Sequence, residues 1–138
     1  MLEKKIKYVD FNGEEREESF NFNLTKAEII EMQLEVKGGL QALITKMQET
    51  KDIPALAELF KTIIKKSYGV KSADGRNFVK NDQNWEDFHS TQAYSELFME
   101  LTQDANAAAD FLNGIVPAEI VAEVKKEQQK TNPAIEKK

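Results

Sequence analysis

Apolar and polar residues alternate near the start of the chain, over residues 4–22, in the pattern of a β-hairpin buried on one face. Asn12-Gly13 interrupts the alternation, and this dipeptide favours a tight hairpin turn. A two-residue loop would mix apolar and polar side chains on one face, whereas a three-residue loop over 12–14 separates them. We therefore expect three pairs of opposite residues: Ile6 with Phe20, Tyr8 with Glu18, and Asp10 with Arg16. Because an isolated hairpin is barely stable in water, it should dock on helices.

After the hairpin, apolar residues recur at the three- and four-residue spacing of amphipathic helices. Thr25 and Glu28 have the spacing of a capping box, and Gly38-Gly39 is placed to end this first helix. Pro54 suits the first turn of a third helix, and Gly69 its end. The apolar faces of the first three helices are expected at Ala27, Ile30 and Leu34, then at Leu40, Leu43, Ile44 and Met47, and then at Leu56, Leu59, Phe60, Ile63 and Ile64.

Residues 70–81 form the one long connection, with a turn over 72–75 and a short extended anchor at 78–79. A short helix around Trp85 and Phe88 follows it. Three further helices are expected to begin at Ser90, at Asp104 and at Pro117, each a residue suited to a helix start. Their apolar faces are Tyr94, Leu97, Phe98 and Leu101, then Ala108, Phe111 and Leu112, and then Ile120, Val121 and Val124.

The pattern therefore predicts a mainly α fold, a bundle of about six or seven short helices with an N-terminal β-hairpin. One domain is expected over residues 1–130, and a flexible polar tail over 131–138.

The amino-acid composition excludes several classes of function. The 138 residues include no cysteine and one histidine, and 41% are hydrophobic and 31% charged, as in a soluble globular protein. The absence of cysteine excludes disulfides and thiol chemistry and suits a reducing cytoplasm. The charged N-terminus lacks the apolar core of a signal peptide, and no apolar stretch is long enough to span a membrane. Secretion and membrane insertion are therefore not expected.

The formal net charge of -5 is unevenly distributed along the chain. Residues 81–124 contain nine acids and no lysine or arginine, whereas residues 51–80 carry seven bases and three acids. Residues 125–138 carry five lysines and two glutamates. The acidity of the chain thus comes mainly from one block between two basic ones.

Fragments of catalytic motifs are present, and each has a simpler structural explanation. His89 and Ser90 are neighbours, but Ser90 is already expected to cap a helix. The adjacent acids Glu86 and Asp87 fit an exposed helix face. Residues 74–77 lack the alternating acids of a calcium loop. The sequence therefore predicts no enzyme, no metal and no cofactor.

A basic cluster in the middle of the chain could contact phosphates. Its members are Lys61, Lys65, Lys66, Lys71, Arg76 and Lys80. The net acidity of the chain, the single arginine in the cluster and the lack of interleaved aromatics all disfavour nucleic-acid binding. The alternative is that these bases are solvated or face the acidic block over 81–124.

Three stretches give the chain a resemblance to a known family: IKYVDFNGEEREESFNFNLTKAEI, KKSYGVKSADGRNFVK, and AYSELFMEL followed by AAADFLNGIVPAEI. Together they span most of residues 6–120. In this order they resemble the tail assembly chaperones of long, non-contractile-tailed (siphovirus-type) bacteriophages and prophages of Gram-positive bacteria. The resemblance lies in the whole-chain pattern, and it carries over no catalytic or ligand residue.

The resemblance implies a protein of the host bacterial cytoplasm that binds the tape measure protein and keeps it soluble. It also implies help in recruiting tail tube protein, absence from the mature virion, and a longer form with a C-terminal extension made by ribosomal frameshifting. Two alternatives stay open: a structural minor tail or tail completion protein, and a small regulatory nucleic-acid-binding protein.

The candidates for contact with a partner lie near the C-terminus, because a terminal amphipathic helix can offer its apolar face to another protein. They are Ile115, Val116, Glu119, Ile120, Val121, Glu123 and Val124. The alternative for the apolar members is core packing of a terminal helix.

Overall fold

A computed structural model describes residues 1–117, and this part of the chain contains six helices and a four-stranded sheet. In chain order the elements are β1 (Leu2–Val9), β2 (Glu15–Phe22), α1 (Lys26–Glu35), α2 (Gly39–Glu49), α3 (Ile53–Ser67), β3 (Tyr68–Lys71), β4 (Phe78–Val79), α4 (Asp82–His89), α5 (Gln92–Gln103) and α6 (Ala105–Ile115). The fold is mainly α, with the predicted N-terminal hairpin. The helix expected from Pro117 onward, the domain end at 130 and the tail over 131–138 lie outside the described residues.

The sheet extends beyond the predicted hairpin. All neighbouring strands are antiparallel, in the order β1-β2-β3-β4, and helices α1 to α3 lie in the connection between β2 and β3. Helix α3 passes directly into β3, so the prediction that Gly69 ends this helix was wrong. Gly69 lies in β3, where a Cβ atom would come within 2.6 Å of the Phe78 ring on the neighbouring strand. The position needs glycine for close packing between strands.

The hairpin register differs from the predicted one by two residues. Ile6 lies opposite Glu18 and Tyr8 opposite Arg16, which places the loop over residues 11–13. The Asp10 side chain accepts hydrogen bonds from the backbone N–H groups of Asn12 (2.9 Å) and Glu14 (3.0 Å). These bonds build the turn one residue earlier than expected, with only Gly13 at positive φ.

The predicted pairs meet as diagonal neighbours instead of opposite ones. The Tyr8 hydroxyl donates to Glu18 Oε1, and Arg16 Nε donates to Asp10 Oδ2 at 2.7 Å. The Arg16 bond and the turn's backbone N–H groups lower the pKa of Asp10. Because a shift of two residues keeps each side chain on its face, the predicted apolar face of the hairpin is confirmed. Its residues are buried or partly buried: Ile6, Tyr8, Phe20 and Phe22.

An aromatic cluster joins the sheet to the second half of the chain. Phe22 of β2 lies 5.2 Å from Phe111 of α6 and 5.8 Å from Phe88 of α4, measured between ring centroids. Tyr68 of β3 stacks on Phe88 at 4.5 Å. Such ring pairs add to the stabilisation from burial alone. The core therefore sits where the ends of β2 and β3 meet the later helices.

Most predicted helix faces are confirmed. The residues of α2 and α3 at the predicted positions are buried or partly buried, as are those of α5 and α6. Asp104 caps α6 as expected, with its carboxylate accepting from Asn106 and Ala107. Ser90 was assigned wrongly: it ends α4, and Thr91 precedes α5. Gly38-Gly39 begins α2 instead of ending α1.

We expect Gly69→Ala to lower the free energy of unfolding by about 1–3 kcal/mol, the usual effect of overpacking a fitted site. The added Cβ would meet Phe78 Cε2 at 2.6 Å. Urea unfolding measures the change. In a Phe78→Ala background the ring is absent, so the same substitution should have a much smaller effect. An equal loss in both backgrounds would show that the ring is not the cause.

Candidate functional site

Helix α1 exposes an apolar face. Ile30 is 65% exposed and Leu34 is 87% exposed, and Ala27 lies one turn before Ile30 on the same side. These three residues were expected to form the apolar face of the first helix, and they do share a face, but that face is exposed. Ile29 and Met32 are the buried residues of this helix. We call Ala27, Ile30 and Leu34 the α1 stripe.

Two ion pairs fix the opposite side of α1 to the body of the protein. Glu28 Oε2 lies 2.7 Å from Lys80 Nζ, and Glu35 Oε2 lies 2.6 Å from Lys66 Nζ. At 100° per residue, Glu28, Met32 and Glu35 share one face of the helix. The α1 stripe is rotated from this face by roughly half a turn. Pairing of the glutamates therefore turns the stripe toward solvent.

Lys80 uses all three of its N–H donors. Its Nζ atom donates to the Asn23 carbonyl at 2.6 Å, to Glu28 Oε2 at 2.7 Å and to the Lys66 carbonyl at 2.8 Å. These acceptors belong to three separate parts of the chain: the end of β2, the first turn of α1 and the last turn of α3. One ammonium group thus joins all three, and it satisfies a carbonyl that the end of α3 leaves without a helical partner.

Glu28 serves two purposes at the start of α1. Its Oε1 atom accepts from the Thr25 backbone N–H at 2.9 Å, and its own N–H donates to Thr25 Oγ1 at 3.1 Å. This confirms the predicted capping box. The other carboxylate oxygen, Oε2, binds Lys80. The helix start and the tertiary contact therefore depend on the same side chain.

Burial and ion pairing shift the pKa values of Glu28 and Lys80 in opposite directions. Burial alone would raise the pKa of Glu28, but the hydrogen bonds from Lys80 and the Thr25 backbone outweigh it and hold that pKa below its usual value. Burial lowers the pKa of Lys80, and Glu28 offsets part of this effect. The lysine side chain is the less exposed partner, at 20% against 33%, so desolvation dominates there.

The basic cluster predicted from the sequence is divided among different contacts. Lys66 and Lys80 bind glutamates of α1, so the alternative that they face acids of the block over 81–124 is wrong for these two. Lys65 Nζ lies 6.0 Å from the centre of the Trp85 ring. Glu100, from the acidic block, pairs at 2.6 Å with Lys4 of β1.

The residues of the candidate catalytic fragments pack against aromatic rings, end a helix or lie on an exposed helix face. The His89 ring packs against Trp85 at 5.0 Å and Tyr94 at 4.6 Å between centroids, while Ser90 ends α4. Glu86 and Asp87 lie on an exposed helix face, as expected. Within residues 1–117, histidine and acidic side chains nowhere gather in groups of three that could hold a metal ion.

The predicted partner-binding residues lie mostly outside the described part of the chain. Ile115 is completely buried, and its carbonyl accepts from the Leu24 N–H at 2.7 Å, so it packs in the core. Val116 is half-buried against the core. The other five candidates are outside the described residues: Glu119, Ile120, Val121, Glu123 and Val124. Their contact with a partner stays a prediction.

Comparison with protein families identifies the family of the chain. The family model of the phage tail assembly chaperones matches residues 1–138. The chain belongs to the phage tail assembly chaperone family. This chaperone thus acts with phage tail proteins during assembly. Searches of curated proteins and of solved structures gave no match. Each helix in residues 1–117 of the chaperone is too short or too polar to cross a membrane.

Lys80→Met should lower the free energy of unfolding by about 1–3 kcal/mol, because it leaves Glu28 and two carbonyls without their donor. Methionine keeps most of the side-chain volume, so the loss of unfolding free energy measures the contribution of the ammonium group. Lys65→Met is the matched control, since Lys65 is exposed and contacts a ring face. Denaturant unfolding of both variants checks this, and equal stabilities would contradict a structural role for Lys80.

Glu28→Gln should reduce the sensitivity of the protein to acid. The pKa of Glu28 is lowered in the folded state, so its contribution is complete above the unfolded value and is lost as the pH falls through the folded one. Between about pH 5 and pH 3, the wild type should therefore lose more unfolding free energy than the variant. Unfolding curves across this range measure the difference, and parallel losses would contradict the assigned pairing.

Proposed function

We propose that this chaperone binds the tape measure protein of a siphovirus-type phage of a Gram-positive host and keeps it soluble before tail assembly. It also helps recruit tail tube protein, in part through a frameshifted longer form of the chain. The protein acts in the host bacterial cytoplasm and is absent from the mature virion. Membership of the family supports the general role.

The observation that carries the proposal is the α1 stripe. Its three residues have the spacing of one face of an amphipathic helix, and two of them are large and well exposed. A helix that presents an apolar face at this spacing can pack against an apolar face of another helix. A long helical client offers such faces repeatedly along its length.

The rigidity of α1 supports this use of its surface. The capping box and the ion pairs with Lys66 and Lys80 hold the helix by its first and last turns. A client therefore meets a preformed surface and does not have to order it, which lowers the entropic cost of binding.

The same contacts argue against the nucleic-acid alternative. Lys66 and Lys80 are two of the six bases of the basic cluster, and both bind acceptors within the protein. The other bases of the cluster belong to a chain with a net charge of -5, and this net acidity disfavours binding to phosphates.

The combined variant Ile30→Ser/Leu34→Ser should lower the soluble yield of the tape measure protein several-fold on co-expression. Ile53→Ser is the matched control, because Ile53 is a large apolar residue that is 78% exposed at the start of a different helix, α3. Since these positions are exposed, each substitution should change the free energy of unfolding by only about 0.5 kcal/mol. An unchanged yield with the double variant would contradict binding through α1.

A further inference from the structure

We propose that the free edge of strand β1 binds an extended, acidic segment of a partner protein by strand addition. The segment pairs with β1 as a further antiparallel strand, with acidic side chains opposite Lys5 and Lys7 and apolar ones beside helix α5. This surface shares no residue with the α1 stripe, so the inference goes beyond the proposed function and does not rest on it.

The outer edge of β1 carries backbone groups that no other part of residues 1–117 binds. The Asp10 N–H donates to the Glu14 carbonyl at 2.8 Å, and this bond fixes which residues of the hairpin exchange hydrogen bonds. Even-numbered residues of β1 bond to β2, so the odd-numbered ones direct their N–H and C=O groups away from it. These outward residues are Glu3, Lys5, Lys7 and Val9. The edge therefore offers a row of donors and acceptors to another strand.

An open cleft lies beside this edge. Helix α5 packs along β1, where Lys4 Nζ lies 2.6 Å from Glu100 Oε1. The cleft between the two elements has a volume of about 400 Å³, and residues 4–7 of β1 line it together with Glu96 and Met99 of α5. The Met99 side chain is apolar and 44% exposed. In strand addition, main-chain bonds give affinity and pockets for alternate side chains give specificity, and the cleft supplies such a pocket.

The charges along β1 indicate that the added strand is acidic. On the solvent face of the sheet, the Glu17 carboxylate of β2 lies 3.6 Å from Lys5 Nζ and 3.5 Å from Lys7 Nζ. The two lysine side chains are still 67% and 85% exposed, so they can also face a strand on their other side. Because opposite charges across neighbouring strands stabilise the pair, an acidic strand continues the alternation of acidic β2 and basic β1.

The same lysines disfavour a second copy of the chain as the occupant. In an antiparallel pair of two β1 edges, any register that joins more than two outward residues of each copy places lysine opposite lysine. The opposed pairs are Lys5 with Lys5, Lys5 with Lys7, or Lys7 with Lys7. Like charges directly opposite each other destabilise paired strands, and lysines on an edge commonly prevent association of like edges. The edge therefore rejects its own copy and accepts a strand of opposite charge.

A peptide titration of the full chain tests the proposal. The probe is a synthetic peptide with blocked ends that spans the length of β1 and alternates glutamate and valine. We expect the backbone amides of Lys5, Lys7 and Val9 to show the largest NMR shifts and slower hydrogen exchange, because the peptide binds their N–H groups. A control peptide with lysine in place of glutamate should bind about tenfold more weakly. No binding, equal binding of the two peptides, or shifts confined to other surfaces would overturn the proposal.

Backbone methylation of the peptide separates strand pairing from a simple attraction of charges. The glutamates opposite Lys5 and Lys7 direct their N–H groups to β1, whereas the valines direct theirs away from it. N-methylation of the glutamates should therefore abolish binding, and N-methylation of the valines should leave it nearly unchanged. Equal effects of the two modifications would contradict strand addition.

Lys7→Pro and Lys7→Thr make the matched comparison on the protein. Both remove the same charge, but only proline also removes the outward N–H, which the bonds between β1 and β2 do not use. Lys7→Pro should weaken binding about tenfold more than Lys7→Thr, and equal binding by the two folded variants would overturn the proposal. If Lys7→Pro does not fold, the methylated peptides decide. Ile30→Ser/Leu34→Ser should bind the peptide as the wild type does, so a failure of the proposed function leaves this result unchanged.

Discussion

The ammonium group of Lys80 determines which side of α1 faces solvent. If α1 were turned by half a rotation, Ile30 and Leu34 would be buried and Ile29 and Met32 exposed. Burying a large apolar side chain contributes about 1.5–3 kcal/mol, so this exchange of two residues for two nearly cancels. The turned helix would also separate Glu28 from Lys80 and Glu35 from Lys66. The partly buried ammonium of Lys80 would keep its two backbone acceptors but lose its charged partner, at a cost of about 1–3 kcal/mol. The polar contacts, not the apolar ones, therefore decide the orientation.

This balance explains which parts of the fold could be predicted from the sequence. Helices α2 and α3 have apolar residues on one side only, so spacing identified their buried faces. In α1 apolar residues lie on two sides, and spacing could not choose between them. The choice depends on a contact between residues 52 positions apart, which no local pattern contains. The candidate site was missed for this reason: spacing identified its residues as one apolar face but not that this face is exposed.

The hairpin is a second case in which the sequence pattern predicts one feature, the buried face, but not another, the pairing register. Alternation identified the buried face correctly, because a register shift of two residues leaves that face unchanged. The register itself depends on the Asp10 side chain, which accepts two backbone hydrogen bonds within the turn. Gly69 is similar, since its role depends on a ring from the neighbouring strand. Local signals thus located the turn and the helix end to within a few residues. Side-chain bonds within the turn, and a ring from the neighbouring strand, fixed the exact positions.

The size of the α1 stripe has a consequence for how such a chaperone works. A stable interface usually buries about 800 Å² on each partner, and three side chains on a ten-residue helix bury far less. On the proposed client, one copy would therefore bind weakly and dissociate quickly. Many copies along one long protein would still keep it covered, because each site rebinds. Assembly of the tail could then displace the copies one at a time, and no step would have to break a large interface at once.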